Sequence, residues 1–172
     1  MDHWPAAIDT LPPPFDAERA ERLVERLGGL ALSPRFARLV EFVAGCSPYL
    51  AQSMAREAAL LPVLEREGAR AVAEAEIAAA MTAGRDLDSA ALMTALRTAK
   101  RRAALAIALG DVAGALDLDG VVGLLTRLAD AALQAALHAA LKAETASGRF
   151  LPADPSDPAR GSGLIVLAMG KY

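Results

Sequence analysis

From Asp88 to Ala146 the apolar residues return every three or four positions, and a large share of them are alanine. That spacing places Leu92, Leu96, Ala99, Ala103 and Ile107 on one side of a long helix. A second helix carries a seam of Val122, Leu125, Ala129, Ala132, Ala136 and Ala140, widened by Leu128, Leu133, Leu137 and Leu141. Small side chains let helix backbones approach closely. The chain is 54% hydrophobic because of its alanine, with only 4% aromatic residues. This balance favours packed helices over a β-sandwich, whose strands draw on β-branched and aromatic side chains.

The rest of the chain is punctuated for short helices. Residues 1–15, with Pro5 and Pro12-Pro13-Pro14, read as an extended arm, since proline donates no backbone hydrogen bond. Asp16 is placed to cap a first helix with Ala20, Leu23, Val24 and Leu27 as its buried stripe, ended by Gly28-Gly29. Ser33-Pro34 and Ser47-Pro48 each set a hydroxyl cap before a proline at the first helical position. Phe36, Leu39, Val40 and Val43 face the core from the first of these helices, Leu50 and Met54 from the second. Further helices are expected over Leu60–Glu67 and Ala69–Thr82. Asp88 and Asp119 are expected to cap the two long helices, and Gly110-Asp111 to break or kink the first.

The character changes at Ser147. Residues 147–162 are rich in proline and glycine and read as a linker, so the helical domain spans 16–146. Leu164-Ile165-Val166-Leu167 is a continuous apolar run that fits a strand buried on both faces. A strand needs a neighbour for its backbone groups, so residues 163–172 are expected to begin a second domain whose remainder is absent from this sequence.

Several function classes are disfavoured. A net charge of -3 gives no reason to expect nucleic acid or an anionic membrane as partner. The start lacks the basic and apolar regions of a secretory signal, and no apolar run is expected to span a bilayer. Cys46 is the only cysteine, which excludes an internal disulfide and suits a reducing cytoplasm.

Two groups of residues are candidates for chemistry. Gly170-Lys171, after the apolar run, can admit a phosphate to backbone N–H groups and neutralise it, or can be an ordinary strand end with a solubilising lysine. Arg97, Lys100 and Arg101 share a helix face and form either a docking face for an acidic surface or nucleotide phosphate, or a plain solvated face. Their compensating carboxylates are not at i−4. Neither His3 nor His138 has partners at metal-ligand spacing, Cys46 lacks a nearby histidine, and Asp117-Leu118-Asp119 sits at a helix start rather than after a strand. No metal site is assigned.

The ending LIVLAMGKY resembles the start of the nucleotidyltransferase core in the glutamine synthetase adenylyltransferase family, where a hydrophobic strand enters a G/A-M-G-K-L-G-G segment. Tyr172 stands where leucine is usual. SPYLAQSMAREAALL resembles that family's S-P-Y/F-L-A…P-E-L-L segment, with Arg56-Glu57-Ala58 in place of Arg-Asp-Pro. The segment beginning ALRTAKRRAALAIALGD is similar to a third family pattern through Leu96, Arg97, Lys100, Ile107, Ala108, Asp111, Gly114, Leu128, Ala129 and Asp130.

The resemblance implies a mainly α chain: a helical bundle domain followed by the first β-strand of a truncated nucleotidyltransferase-type α+β domain. It implies the beginning of the amino-terminal half of an enzyme that moves AMP on and off a tyrosine of glutamine synthetase. That half removes AMP by phosphorolysis, with inorganic phosphate consumed and ADP released, and the other half uses ATP. The PII signalling protein is the implied regulator and Mg²⁺ the implied metal, held by an aspartate pair expected beyond Tyr172. Only Gly170 and Lys171 are carried over as nucleotide-contacting, so the 172 residues alone are expected to be inactive. The alternatives are a non-enzymatic all-helical interaction module, or the front end of another nucleotidyltransferase-fold signalling enzyme.

Overall fold

The structure, a computed structural model, describes residues 3–86 and 88–167. Among these residues there are seven α-helices, two short 3-10 turns and no strand. Helices α1 (Ala17–Arg26), α2 (Pro34–Cys46), α3 (Pro48–Arg56) and α4 (Leu61–Glu67) are short, and α5 (Ala69–Asp86), α6 (Ser89–Val112) and α7 (Leu118–Ala146) are long. The chain forms two compact units, Met1–Glu76 with Arg101–Leu125 and Ile77–Lys100 with Thr126–Tyr172.

Local chemistry sets the helix starts. Asp16 Oδ1 accepts from Arg19 N at 2.9 Å, Ser33 Oγ from Phe36 N at 3.3 Å and Ser47 Oγ from Leu50 N at 3.2 Å. Each bond satisfies an N–H that the first helical turn leaves without a partner. Asp88 Oδ1 takes both Ala90 N and Ala91 N, as expected for α6. The cap of α7 is Asp117, whose Oδ1 accepts from Gly120 N at 2.9 Å, and not Asp119, which lies in the first turn. Gly110 does not interrupt α6, which runs on to Val112. A Cβ there would lie 2.6 Å from Ala69 Cβ, so the glycine serves close packing.

In the first unit α1 packs on α2 and α3 around fully buried Phe36, Leu39, Met54, Leu61 and Leu64. The proline-rich start is more than an arm. Ala6–Thr10 forms a 3-10 turn, Ile8 is completely buried, and the Trp4 ring meets Phe36 at a centroid distance of 4.8 Å. Trp4 Nε1 donates to the Glu65 backbone carbonyl at 3.1 Å, giving the indole a polar partner while its body is enclosed. Val24, expected in the buried stripe of α1, is instead 49% exposed.

The second unit has an alanine core: Ala83, Leu92 and Ala135 are buried together, with Ala95, Leu96 and Ala139 packed against them. The buried positions of α7 are Leu124, Leu128, Ala131, Ala135 and Leu141. Relative to the expected seam this stripe is shifted by one residue, which rotates it by about 100°. Val122 and Leu125 are left exposed by that rotation. By length and composition α7 is apolar enough to cross a membrane, with mean hydropathy 1.3.

The expected strand at Leu164–Leu167 is not observed. Residues 162–167 have no regular secondary structure, and Ile165 and Leu167 are about four-fifths exposed. The physical reason is pairing: no strand among the described residues offers backbone partners, and a lone extended segment cannot satisfy its own. Replacing Ile165 with lysine is therefore expected to change the chain's stability by less than about 0.5 kcal/mol in urea unfolding.

Candidate functional site

Among the described residues Glu57 is the one buried charged side chain, and it lies in the first unit. Glu57 follows the last turn of α3, and its backbone N–H donates to Ser53 O at 2.9 Å. This closes the helix and directs the side chain inward, where Glu57 is 7% exposed. Two consecutive arginines of α6 meet it. Arg101 Nε donates to Oε1 and Arg102 Nε to Oε2, each at 2.6 Å. Arg102 Nη1 also lies 3.6 Å from Glu76 Oε1 on α5. One carboxylate thus engages two guanidinium forks, and one fork reaches a second carboxylate.

The two glutamates respond in opposite directions. Burial pushes the Glu57 carboxyl up, but the hydrogen bonds and charges of Arg102 and Arg101 outweigh it and hold the group below the ordinary carboxylate range. For Glu76 burial wins over the single, longer approach of Arg102, so its carboxyl is raised. The bond from Glu57 raises Arg102 further above the usual guanidinium value. Glu57 therefore stays ionised and fully engaged as an acceptor. Nothing in this geometry frees it to act as a base or nucleophile; the cluster is a clamp between the end of α3 and the middle of α6.

Linkage gives this clamp a pH signature. A carboxyl raised on folding contributes stability that is present below its unfolded value and lost as pH rises through its folded value. Glu76→Gln removes that loss. The stability of the variant relative to the parent chain is accordingly expected to increase from about pH 3 to about pH 7 in urea titrations.

The three residues expected as a docking face differ in their surroundings. Arg97 and Lys100 are exposed on α6, whereas Arg101 is held by Glu57. Arg102, which that cluster omitted, carries the second half of the clamp. Glu57 was not legible as its partner because it lies 44 residues from Arg101, although the missing i−4 carboxylates on α6 already signalled a distant acceptor. Gly170 and Lys171 lie outside the described residues.

Among the described residues no three His, Cys, Asp or Glu side chains are grouped to hold a metal ion. His138 Nδ1 stands 3.8 Å from Asp157 Oδ1, Cys46 is exposed, and Asp117 is occupied as the α7 cap.

The clamp residues fall inside the part of the chain that matches a known family. The family profile described as glutamate-ammonia ligase adenylyltransferase matches residues 36–172, which include Glu57, Glu76, Arg101 and Arg102. Three similar relatives are each named bifunctional glutamine synthetase adenylyltransferase/adenylyl-removing enzyme. The protein from Rhodopseudomonas palustris (strain HaA2) is 42% identical over 142 residues, covering 80% of this chain and 14% of the relative. That from Xanthobacter autotrophicus is 47% identical over 98 residues, covering 57% and 10%. That from Bradyrhizobium diazoefficiens is 38% identical over 149 residues, covering 85% and 15%. The chain thus spans about one seventh of the length of the relatives it matches. No solved structure matches it.

Proposed function

Because the chain belongs to the glutamate-ammonia ligase adenylyltransferase family, we propose that it is part of an enzyme that adds AMP to a tyrosine of glutamine synthetase and removes it, regulating nitrogen assimilation. In this reading the residues stand at the front of the half that removes AMP. Inorganic phosphate attacks the phosphorus of the AMP–tyrosine diester, the bond from phosphorus to the tyrosine oxygen breaks, and ADP leaves while the tyrosine regains its proton. The PII signalling protein regulates the exchange, which takes place in the cytoplasm.

The observation that carries the proposal is the family match over residues 36–172. The structure supports it from inside that match: SPYLAQSMAREAALL and ALRTAKRRAALAIALGD, two of the segments that resemble the family, are joined through Glu57, Arg101 and Arg102. The chain's contribution is then architectural. Mg²⁺ supplies charge neutralisation in nucleotidyl transfer, but the described residues offer no donor set that fits it, so its ligands are assigned to other parts of the enzyme. Gly170 and Lys171 are assigned to the nucleotide phosphates, and Leu164–Leu167 becomes a strand where further strands are supplied.

Adenylylated glutamine synthetase and inorganic phosphate test this directly. A polypeptide extended through the downstream reading frame is expected to release ADP, and the 172-residue chain is expected to release none. ADP formation by the 172-residue chain, or its absence with the extended polypeptide, contradicts the proposal.

A further inference from the structure

We propose that the second unit carries an oxyanion site, fitted to a small phosphate monoester, in the cleft formed by the end of α5, the middle of α7 and residues 157–160. The cleft encloses about 400 Å³, within the range of small-molecule sites. Arg85 lines it from α5 and Arg160 from the segment after α7, with His138 and Gln134 between them on α7. Lys142 Nζ, outside the lining, donates to the Arg85 backbone carbonyl at 3.1 Å and so covers a helix-end carbonyl that would otherwise repel an anion.

The balance of charge favours an anion. Asp157 is the single acidic residue lining the cleft, and it faces His138 Nδ1 at 3.8 Å. Arg160 comes no closer than 4.0 Å to Asp154, whose carboxylate already accepts from Ser156 N and Oγ. The larger cleft of the first unit, about 560 Å³, differs in this respect. There Arg35 is bound to Asp9 at 2.9 Å, and Glu65 Oε1 takes Ser33 N.

Two guanidinium forks present more N–H donors than the two oxygens of a carboxylate use well, whereas a phosphate monoester offers three oxygens and a higher charge. Met81 gives the organic part of such an ester an apolar wall. This site does not depend on the reading of the chain as part of a glutamine synthetase-modifying enzyme, since its test involves neither glutamine synthetase nor ADP.

The test is an amide chemical-shift titration of the 172-residue chain with phenyl phosphate, inorganic phosphate and phenol. Both phosphates are expected to saturate shifts at His138 and residues 157–160 in the millimolar range, and phenol to produce none there. Arg85→Gln and Arg160→Gln should each weaken binding about tenfold. Asp157→Asn should tighten it about threefold by removing the opposing charge, a gain that a purely structural role for Asp157 would not produce. Arg22→Gln, in the first unit, should leave it unchanged. Melting curves for the arginine variants confirm that they fold. Failure to saturate, equal binding by both arginine variants and the parent chain, or shifts confined to residues outside the cleft would overturn the proposal.

Discussion

Replacing Glu57 with alanine is expected to destabilise the first unit by about 2–4 kcal/mol at neutral pH. The substitution leaves Arg101 without its carboxylate and Arg102 with only the longer approach to Glu76. Loss of one partner from a buried pair costs more than the pair itself contributes, because the remaining charge is stranded. The cost is below that of a fully enclosed pair, since the Arg102 side chain is 41% exposed and can turn toward water. A double-mutant cycle with Glu57→Gln and Arg102→Gln is expected to return a coupling of about 1–2 kcal/mol. Coupling near zero would mean that the two side chains are neighbours without a shared energetic role. The acid side supplies a second check. Glu57 is held below the ordinary carboxylate value, so its contribution is complete above that value and is lost as pH falls through its folded value. The difference between Glu57→Gln and the parent chain should therefore narrow in acid.

The second large effect is expected at Gly84. A Cβ built there would lie 2.6 Å from Ala135 Cβ and 2.9 Å from Ala135 O, with Ala135 Cα closer still. The obstacle is helix backbone, which cannot swing aside as the end of a long side chain can. Gly84→Val is expected to cost about 3 kcal/mol, near the upper end for overpacking, because valine's gain in helix propensity over glycine is only a few tenths. Gly123 provides the contrast. It also lies within a long helix, but nothing stands within 4 Å of its Cβ position. Gly123→Ala is expected to stabilise the chain by about 0.5–1 kcal/mol through helix propensity. Urea unfolding followed by circular dichroism measures both, and equal effects at the two glycines would contradict the packing described around Ala135.

This pair of glycines shows where sequence reasoning loses resolution. Each is a glycine inside a long helix, and the neighbouring helix decides what its substitution costs. The same limit explains the rotated stripe on α7. In a run such as Ala131-Ala132-Leu133 through Ala135-Ala136-Leu137, two adjacent phases are almost equally apolar, so periodicity reports a helix without fixing which side is buried. Where side-chain contrast was high the buried set was legible, as with Phe36, Leu39, Val40 and Val43 on α2.

Caps were legible at Asp16, Ser33, Ser47 and Asp88 because a cap is a bond between residues two or three apart. Asp117 and Asp119 both lie within reach of one helix start, so sequence alone does not separate them. The candidate site was less legible than the fold. Arg101 stood out as a cation without a local carboxylate, yet its acceptor is supplied by a helix end 44 residues earlier. No local pattern reports such a partner. Leu164–Leu167 poses the opposite problem, since its composition announces a strand while the partners that would make it one are not among the described residues.

That last segment decides whether the chain joins a larger sheet. Amide hydrogen exchange at Leu164–Leu167 should be compared between the 172-residue chain and a polypeptide extended through the downstream reading frame. Rapid exchange in the first and slow exchange in the second is the predicted result, because added strands would engage these amides. Slow exchange in the 172-residue chain, or rapid exchange in both, would contradict the assignment of this segment to the sheet of a larger enzyme.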